Sequence, residues 1–358
     1  MRLLFAGTPA TALPALQALI ASRHEVVAVL TRADAPTGRG RRLTPSPVRV
    51  AAQEAGIPVI TDLPRGQDFI DQLTALELDA CPVVAYGHIL GPEVLAIPRL
   101  GWVNLHFSIL PAWRGAAPVQ RAIIAGDQVT GATTFVIDQG MDTGPVLGTM
   151  TETIMPKDTS GELLDRLATA GAALLTASMD AMEDGSIQPV PQPAEGVSHA
   201  AKLHREDAQV RWDRPAMAID RLIRGCTPAP GAWSVIAPQG VEASHALADI
   251  PSIRLGLGPV RLRQDVTDVP PGAVRSEKKA VLVGTASHAV ELGLVQPPGK
   301  KPMLATDWVR GARLSAQAAF VQPPADAGSV AENAGLASAS GQASATEQAS
   351  ASQGQVTA

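Results

Sequence analysis

Through the first half of the chain, short apolar runs alternate with longer stretches whose apolar positions recur every three or four residues. Runs such as Arg2–Ala6 and Glu25–Leu30 read as buried strands, and the stretches between them as amphipathic helices. Gly7-Thr8-Pro9 turns the first strand into a helix reaching about Ala21, with Thr8 as its cap and Pro9 in its first turn. The alternation continues with helix Val48–Ala55, strand Pro58–Ile60, helix Gln67–Leu76 and strand Ala80–Ala85. It then runs through strand Trp102–His106, helix Pro118–Ala125, β-rich runs at Gly131–Ile137 and Pro145–Ile154, and a long helix Thr159–Glu183. This order predicts an α/β domain over residues 1–185 with a parallel-core sheet.

Beyond residue 185 the pattern changes. Residues 186–201 form a Pro-rich linker. After one amphipathic helix at Ala216–Gly225 come short β-like segments at Trp233–Ala237, Ile253–Leu257, Val260–Gln264, Ala280–Gly284 and Ala289–Gln296. Short strands separated by turn signals predict a small β-barrel over 202–320. Residues 321–358 are rich in Ala, Ser and Gln and lack Lys and Arg, which predicts a disordered tail.

One segment breaks the rhythm of the first domain. Thr31–Arg49 carries five arginines against one acid, together with Gly38, Gly40, Pro36, Pro45 and Pro47. So many breakers predict a long irregular arm, and its arginines suit phosphates.

Composition adds limits. At 358 residues and 46% hydrophobic, the chain can bury two ordinary cores, and no apolar run reaches transmembrane length. The apolar start is short and runs directly into a strand, so no secretory signal is expected there. Cys81 and Cys226 are far apart, without a thiolate-zinc spacing, which fits a reducing cytoplasm. The net charge of −5 is uneven. Residues 1–201 hold 13 Lys+Arg and 20 Asp+Glu, residues 202–313 hold 16 and 11, and the remainder holds none and 3. A basic second domain on an acidic chain fits a polyanionic partner.

The candidate chemistry lies in Trp102–Pro118 and Asp138–Gly144. Alternation along a strand points Asn104 and His106 to the same side, and two polar groups on one buried face need a reason. With Asp142 in a Gly-rich loop they offer an amide, an imidazole and a carboxylate, a set suited to acyl transfer. Tyr86-Gly87-His88-Ile89-Leu90 follows a strand at the sheet end where α/β folds bind ligands, and its backbone could read a flat heterocycle. Only Gly7 of a GxGxxG fingerprint is present, which argues against a dinucleotide site. The His and Cys spacings supply no metal site.

Phe5-Ala-Gly-Thr-Pro9, Gly38-Arg-Gly40 with Pro45-Ser-Pro47, Val84-Ala-Tyr-Gly87, Asn104-Leu-His106, Ser108-Ile-Leu-Pro111, Trp113-Arg-Gly-Ala-Ala-Pro118 and Met141-Asp-Thr-Gly144 together resemble the methionyl-tRNA formyltransferases. The similarity runs in register to about Arg313. It implies a Rossmann-like formyltransferase domain followed by an OB-like, tRNA-binding barrel. The implied reaction moves the formyl group of 10-formyltetrahydrofolate, a co-substrate, to the α-amine of methionyl initiator tRNA. By position, Asn104, His106 and Asp142 carry over as catalytic. Ser108, Ile109, Leu110 and Pro111 carry over as folate contacts, with Gly87, His88, Ile89 and Leu90 lining the pterin pocket. Arg39, Arg41, Arg42 and Arg114 carry over toward tRNA. A cytoplasmic monomer without metal or protein partner is expected.

Two departures bear on the site. Phe107 stands where the family commonly has a small Gly, so it either narrows the pocket or packs outward. Pro82, in a strand that is normally a Val run, requires an irregular ladder. Other folate formyltransferases, a folate-dependent hydrolase and a non-catalytic RNA-binding module are the alternatives. The arginine-rich loop counts against the other formyltransferases and the intact Asn–His–Asp set against the RNA-binding module. The hydrolase would use the same three residues to deliver water, and formate release without tRNA separates it.

Overall fold

The strands of the main sheet and the helices between them arise where the apolar runs lie, and a computed structural model describes residues 1–37, 42–239 and 252–321. In chain order these are β1 (Arg2–Gly7), α1 (Leu13–Ile20), β2 (Glu25–Leu30), β3 (Ala35–Thr37), β4 (Arg42–Thr44), α2 (Pro47–Glu54) and β5 (Val59–Ile60). There follow α3 (Gln67–Thr74), β6 (Cys81–Val84), α4 (Pro92–Leu95), β7 (Trp102–His106), α5 (Pro118–Ala125), β8 (Val129–Val136), β9 (Val146–Thr153) and α6 (Ser160–Glu183). The main sheet has the order β5-β2-β1-β6-β7-β8-β9. The strands from β5 to β7 pair in parallel, and β8 and β9 are added antiparallel.

Strand alternation divides the core. Leu3, Phe5, Val103 and Leu105 face α1, α5 and α6, whereas Leu4, Ala6 and Trp102 face α3 and α4. The chain reverses direction of growth between β1 and β6, and the carboxyl ends of strands at such a point are where open α/β sheets bind ligands. Helix α6 starts from a capping box in which Thr159 and Glu162 satisfy one another's backbone N–H groups.

Local chemistry differs from the expected pattern in several places. Thr8 does not cap the first helix; its hydroxyl donates to the Tyr86 carbonyl at 2.8 Å and ties the end of β1 to the turn after β6. The first helix begins instead with a 3₁₀ turn, Ala10–Ala12. The arm expected to be wholly irregular carries a two-stranded ribbon, with Pro36 opposite Leu43. Each strand of a ribbon has one unpaired edge, and proline, which has no N–H to give the ladder, is tolerated on such a strand. Helix α2 then opens at Pro47 under Ser46, whose hydroxyl accepts from Arg49 N–H at 3.0 Å. As expected for Pro82, the β1–β6 ladder is interrupted, with a bridge at Leu3–Ala80 and regular pairing only from Val83. The short α4 was not foreseen.

The second domain begins with α7 (Ala216–Gly225) and continues with β10 (Trp233–Ala237), β11 (Ile253–Leu257), β12 (Arg261–Arg263), β13 (Val274–Ser276) and β14 (Val281–Val283). It ends with β15 (Ala289–Glu291), β16 (Leu294–Gln296), β17 (Met303–Leu304), α8 (Ala305–Ala312) and β18 (Ala319–Val321). Two antiparallel sheets, β17-β16-β11-β10-β18 and β12-β15-β14-β13, share one core built on Trp212, Ile219, Leu255 and Phe320. An Ala273–Ala319 bridge joins their edges. The run expected as one strand over Ala289–Gln296 breaks at Gly293, where a Cβ would lie 2.6 Å from the Pro259 carbonyl. A second helix, α8, and the strands β13, β17 and β18 were not anticipated. Val321, placed by sequence in the tail, ends β18; the rest of that segment lies outside the described residues.

The two domains meet along α5 and α7. Gly225 permits the approach, because a Cβ there would sit 2.6 Å from Ile124 Cγ1 and 3.0 Å from the Gln120 carbonyl. Buried Arg224 donates to Asp220 at 2.8 Å and to the Asp158 carbonyl of the first domain at 2.9 Å.

Candidate active site

Strand β7 carries Asn104 and His106 on the same side, as alternation requires, and delivers them near the carboxyl ends of the parallel strands. The half-buried Asn104 side chain has no hydrogen-bond partner among the described residues. His106 is 6% exposed, and its Nε2 lies 2.9 Å from the Trp113 carbonyl oxygen. A carbonyl only accepts, so Nε2 carries the hydrogen and donates. Nδ1 is then the nitrogen left for proton exchange. It lies 3.7 Å from Asp142 Oδ2, too far for a direct hydrogen bond.

Asp142 is held from its own side. Its Oδ2 accepts the Gly115 N–H at 2.7 Å, and its backbone has a φ of 53°. The preceding loop is closed by Asp138, whose Oδ1 accepts from Gly140 N–H at 3.0 Å and from the Thr143 hydroxyl at 2.6 Å. Gly115 has a φ of 122°, and a Cβ there would lie 2.8 Å from the Ala200 carbonyl. That position admits only glycine without a shift of backbone.

The segment after His106 behaves differently from its expected role in part. Ser108 is fully buried, and its hydroxyl donates to the Ala112 carbonyl at 2.6 Å. Its side chain therefore closes the turn and does not line a pocket. Thr133 Oγ1 braces the same turn, donating to the Ser108 carbonyl at 2.7 Å and accepting from Leu110 N–H at 3.2 Å. Leu110 is buried, while Ile109 and Pro111 are half-buried and remain accessible. Phe107 joins the core under α5 and α6, on the face opposite His106, so it does not narrow the site.

In the turn after β6, Gly87 takes a φ of 87° and Ala85 one of 49°. Ile89 is 91% exposed, His88 stands edge-on to Tyr86, and Leu90 packs partly against the core. Burial pushes the Tyr86 hydroxyl up to about 12, partly offset by Arg32. Of the basic residues, Arg42 is exposed on β4. Arg39 and Arg41 lie outside the described residues. Arg114 spends its Nε and Nη2 on Gln192 Oε1 at 3.0 and 2.6 Å.

Sequence reasoning missed the support that residues 186–201 lend to this site. Arg114 N–H donates to the Ser198 carbonyl, Ala200 N–H donates back to the Arg114 carbonyl, and the Ser198 hydroxyl accepts from Trp113 N–H. Nothing in the periodicity marks these residues, since a Pro-rich stretch reads as a spacer. The described residues bring one metal-like set together, His24, Asp180 and Glu183. It lies at the opposite, amino-terminal edge of the sheet, and Arg23 and the N-terminal ammonium already pair with its carboxylates.

A formyl transferase family model matches residues 1–179, and a formyl transferase C-terminal domain model matches residues 202–313. A methionyl-tRNA formyltransferase of Streptomyces coelicolor is 56% identical over 317 residues, covering 88% of this chain and 98% of that protein. The chain belongs to the methionyl-tRNA formyltransferase family. A family member of Mycobacteroides abscessus is 55% identical over 318 residues, covering 88% of this chain and 99% of its own. Among solved structures, the sugar 3N-formyl transferase WlaRD, determined with dTDP and 5-N-formyl-THF, superposes with a TM-score of 0.60 at 15% identity. That match covers 84% of this chain and 99% of WlaRD. HypX from Aquifex aeolicus, in complex with tetrahydrofolic acid, gives 0.55 at 14% identity over 87% of this chain and 47% of HypX. At these identities the likeness is one of fold. No helix among the described residues is long and apolar enough to cross a membrane.

Proposed function

We propose that this chain transfers the formyl group of 10-formyltetrahydrofolate to the α-amine of methionyl initiator tRNA, producing formylmethionine for translation initiation. The observation that carries the reading is the Asn104 amide, without a hydrogen-bond partner among the described residues, on the strand that carries His106 near Asp142, at the carboxyl end of the parallel sheet in a chain of this family.

Each of the three residues has a role suited to acyl transfer. Asn104, whose amide has no partner among the described residues, donates an N–H to the formyl oxygen as the amine adds to the formyl carbon and charge develops there. His106, anchored through Nε2–H on the Trp113 carbonyl, offers Nδ1–H as the second donor when the ring is protonated. Asp142 keeps one oxygen on the Gly115 N–H and has the other for the proton the amine must lose. That proton returns to the departing folate nitrogen. The Gly87–Leu90 turn and the exposed face of Ile109 and Pro111 suit a flat, partly apolar donor. Arg42, with Arg39 and Arg41, suits the acceptor end of the tRNA, and the basic second domain suits its body.

The test compares formylation of methionyl initiator tRNA with methionyl elongator tRNA, alongside formate release without tRNA. Strong preference for the initiator is expected. Equal rates on both would overturn the specificity, and formate release as the main activity would favour the hydrolase.

A further inference from the structure

Between the domains, residues 186–201 run across the back of the site, and one side chain there reaches both catalytic loops. Gln192 Oε1 accepts from Arg114 Nε and Nη2, and its Nε2 donates to the carbonyls of Asp142 at 2.9 Å and Gly144 at 2.8 Å. The orientation of the amide is unambiguous, because arginine only donates and carbonyls only accept. Both amide hydrogens and both acceptor positions are used, so the group has one rotational setting.

We infer that Gln192 is a positioning residue for formyl transfer. It clamps the backbone on either side of Thr143 and thereby sets the Asp142 carboxylate against His106. The inference rests on the reading of Asp142 as catalytic. Asp142 needs such a clamp because it holds a left-handed backbone that non-glycine residues disfavour. Its carboxylate is directed at Gly115 N–H and His106 Nδ1 from that strained turn. Arg114 extends the clamp to the loop that carries the Trp113 carbonyl, the partner of His106 Nε2. One amide thus fixes the separation of the two loops that bracket the imidazole. The backbone of the strap is anchored independently: Val190 exchanges two hydrogen bonds with Val146, at 2.7 and 2.8 Å. Replacing the Gln192 side chain therefore leaves the strap in place and removes only the clamp.

The test uses the full chain with Gln192→Met, which keeps length without polar atoms. Gln192→Glu serves as a second variant, keeping the acceptor for Arg114 while turning a carboxylate oxygen toward two carbonyls. A misplacement near 1 Å costs up to about 100-fold, so both variants should lose roughly 10- to 100-fold in kcat. KM for the folate donor and for methionyl-tRNA should stay within about twofold. The unfolding midpoint falls in both variants, because the two loop carbonyls lose their partner in each and Arg114 loses its own in Gln192→Met, while unfolding stays cooperative. The double variant Gln192→Met/Asp142→Asn should lose much less than the product of the two single losses, since residues acting as a unit are not additive. Should Gln192→Met fail to unfold cooperatively, Gln192→Glu carries the same prediction. Turnover of Gln192→Met within twofold of wild type, a loss confined to KM, or additive losses in the double variant would overturn the inference. A slow Asp142→Asn beside a normal Gln192→Met removes Gln192 alone, whereas a normal Asp142→Asn removes the catalytic reading of Asp142 and the inference with it.

Discussion

Replacing Asn104 by alanine separates catalysis from stability more sharply than any other change at this site. The side-chain amide is half-buried and has no partner among the described residues, so its removal breaks no hydrogen bond within them. The backbone of Asn104, paired with Val83 and Phe135, is untouched. The expected cost in folding stability is therefore within about 0.5 kcal/mol. Loss of one preorganised oxyanion donor, by contrast, costs about 2.7–4 kcal/mol in the transition state, or roughly 10²- to 10³-fold in kcat. His106→Ala serves as the contrast. It removes the Nε2–H that the Trp113 carbonyl accepts and opens a buried site, so it should cost about 1–3 kcal/mol of stability as well as activity. The assay is formylation of methionyl initiator tRNA with saturating donor, paired with urea unfolding of both variants. A loss under tenfold for Asn104→Ala would refute the oxyanion role. A destabilisation above about 2 kcal/mol would refute the premise that the amide is unpartnered.

The remaining predictions concern the frame of the site. Arg224→Met strands the buried Asp220 carboxylate and should cost about 3–5 kcal/mol in urea unfolding. Adding Asp220→Leu should restore most of that loss; no recovery in the double variant would rule out an unpaired charge as its cause. Burial raises the Asp158 carboxyl, but hydrogen bonds from Arg166 and Met155 N–H outweigh it, and the net shift is below the usual value of 3.8. A lowered native value stabilises above the unfolded one and is lost as pH falls through the native one. Stability should therefore decline below about pH 3.8, less steeply in Asp158→Asn, as followed by acid titration of the unfolding midpoint. Burial pushes the Cys226 thiol up to about 12 and Cys81 well above its ordinary range. Both should resist a thiol reagent in the native state and react on unfolding, and fast labelling of folded protein would contradict their packing.

Much of the site was legible in the chain because it depends on short-range rules. Alternation along β7 set Asn104 and His106 on one side and Phe107 on the other, which is why Phe107 packs into the core. Asp142 was legible from the Met-Asp-Thr-Gly turn and its match to the family. The role of the Ser108 hydroxyl was not legible, because a hydroxyl can equally touch a ligand or close a turn, and only the position of the Ala112 carbonyl shows that this one closes the turn. The ribbon of β3 and β4 was missed for a similar reason, since proline forbids a central strand but not an edge.

By itself the sequence determined the α/β order, the basic second domain, the family and the three residues of the proposed chemistry. The order and the charge follow from periodicity and composition, which act over a few residues at a time, whereas the family and the assignment of the three residues follow from the resemblance of short motifs. The tertiary structure alone decided who holds those residues. The Trp113 carbonyl takes the His106 Nε2–H, the Asp142 carboxylate takes the Gly115 N–H, and Gln192, fifty residues further on, spans both loops. Hydrogen bonds between distant segments leave no period in the sequence, because they depend on where the chain returns to and not on what surrounds each residue along it.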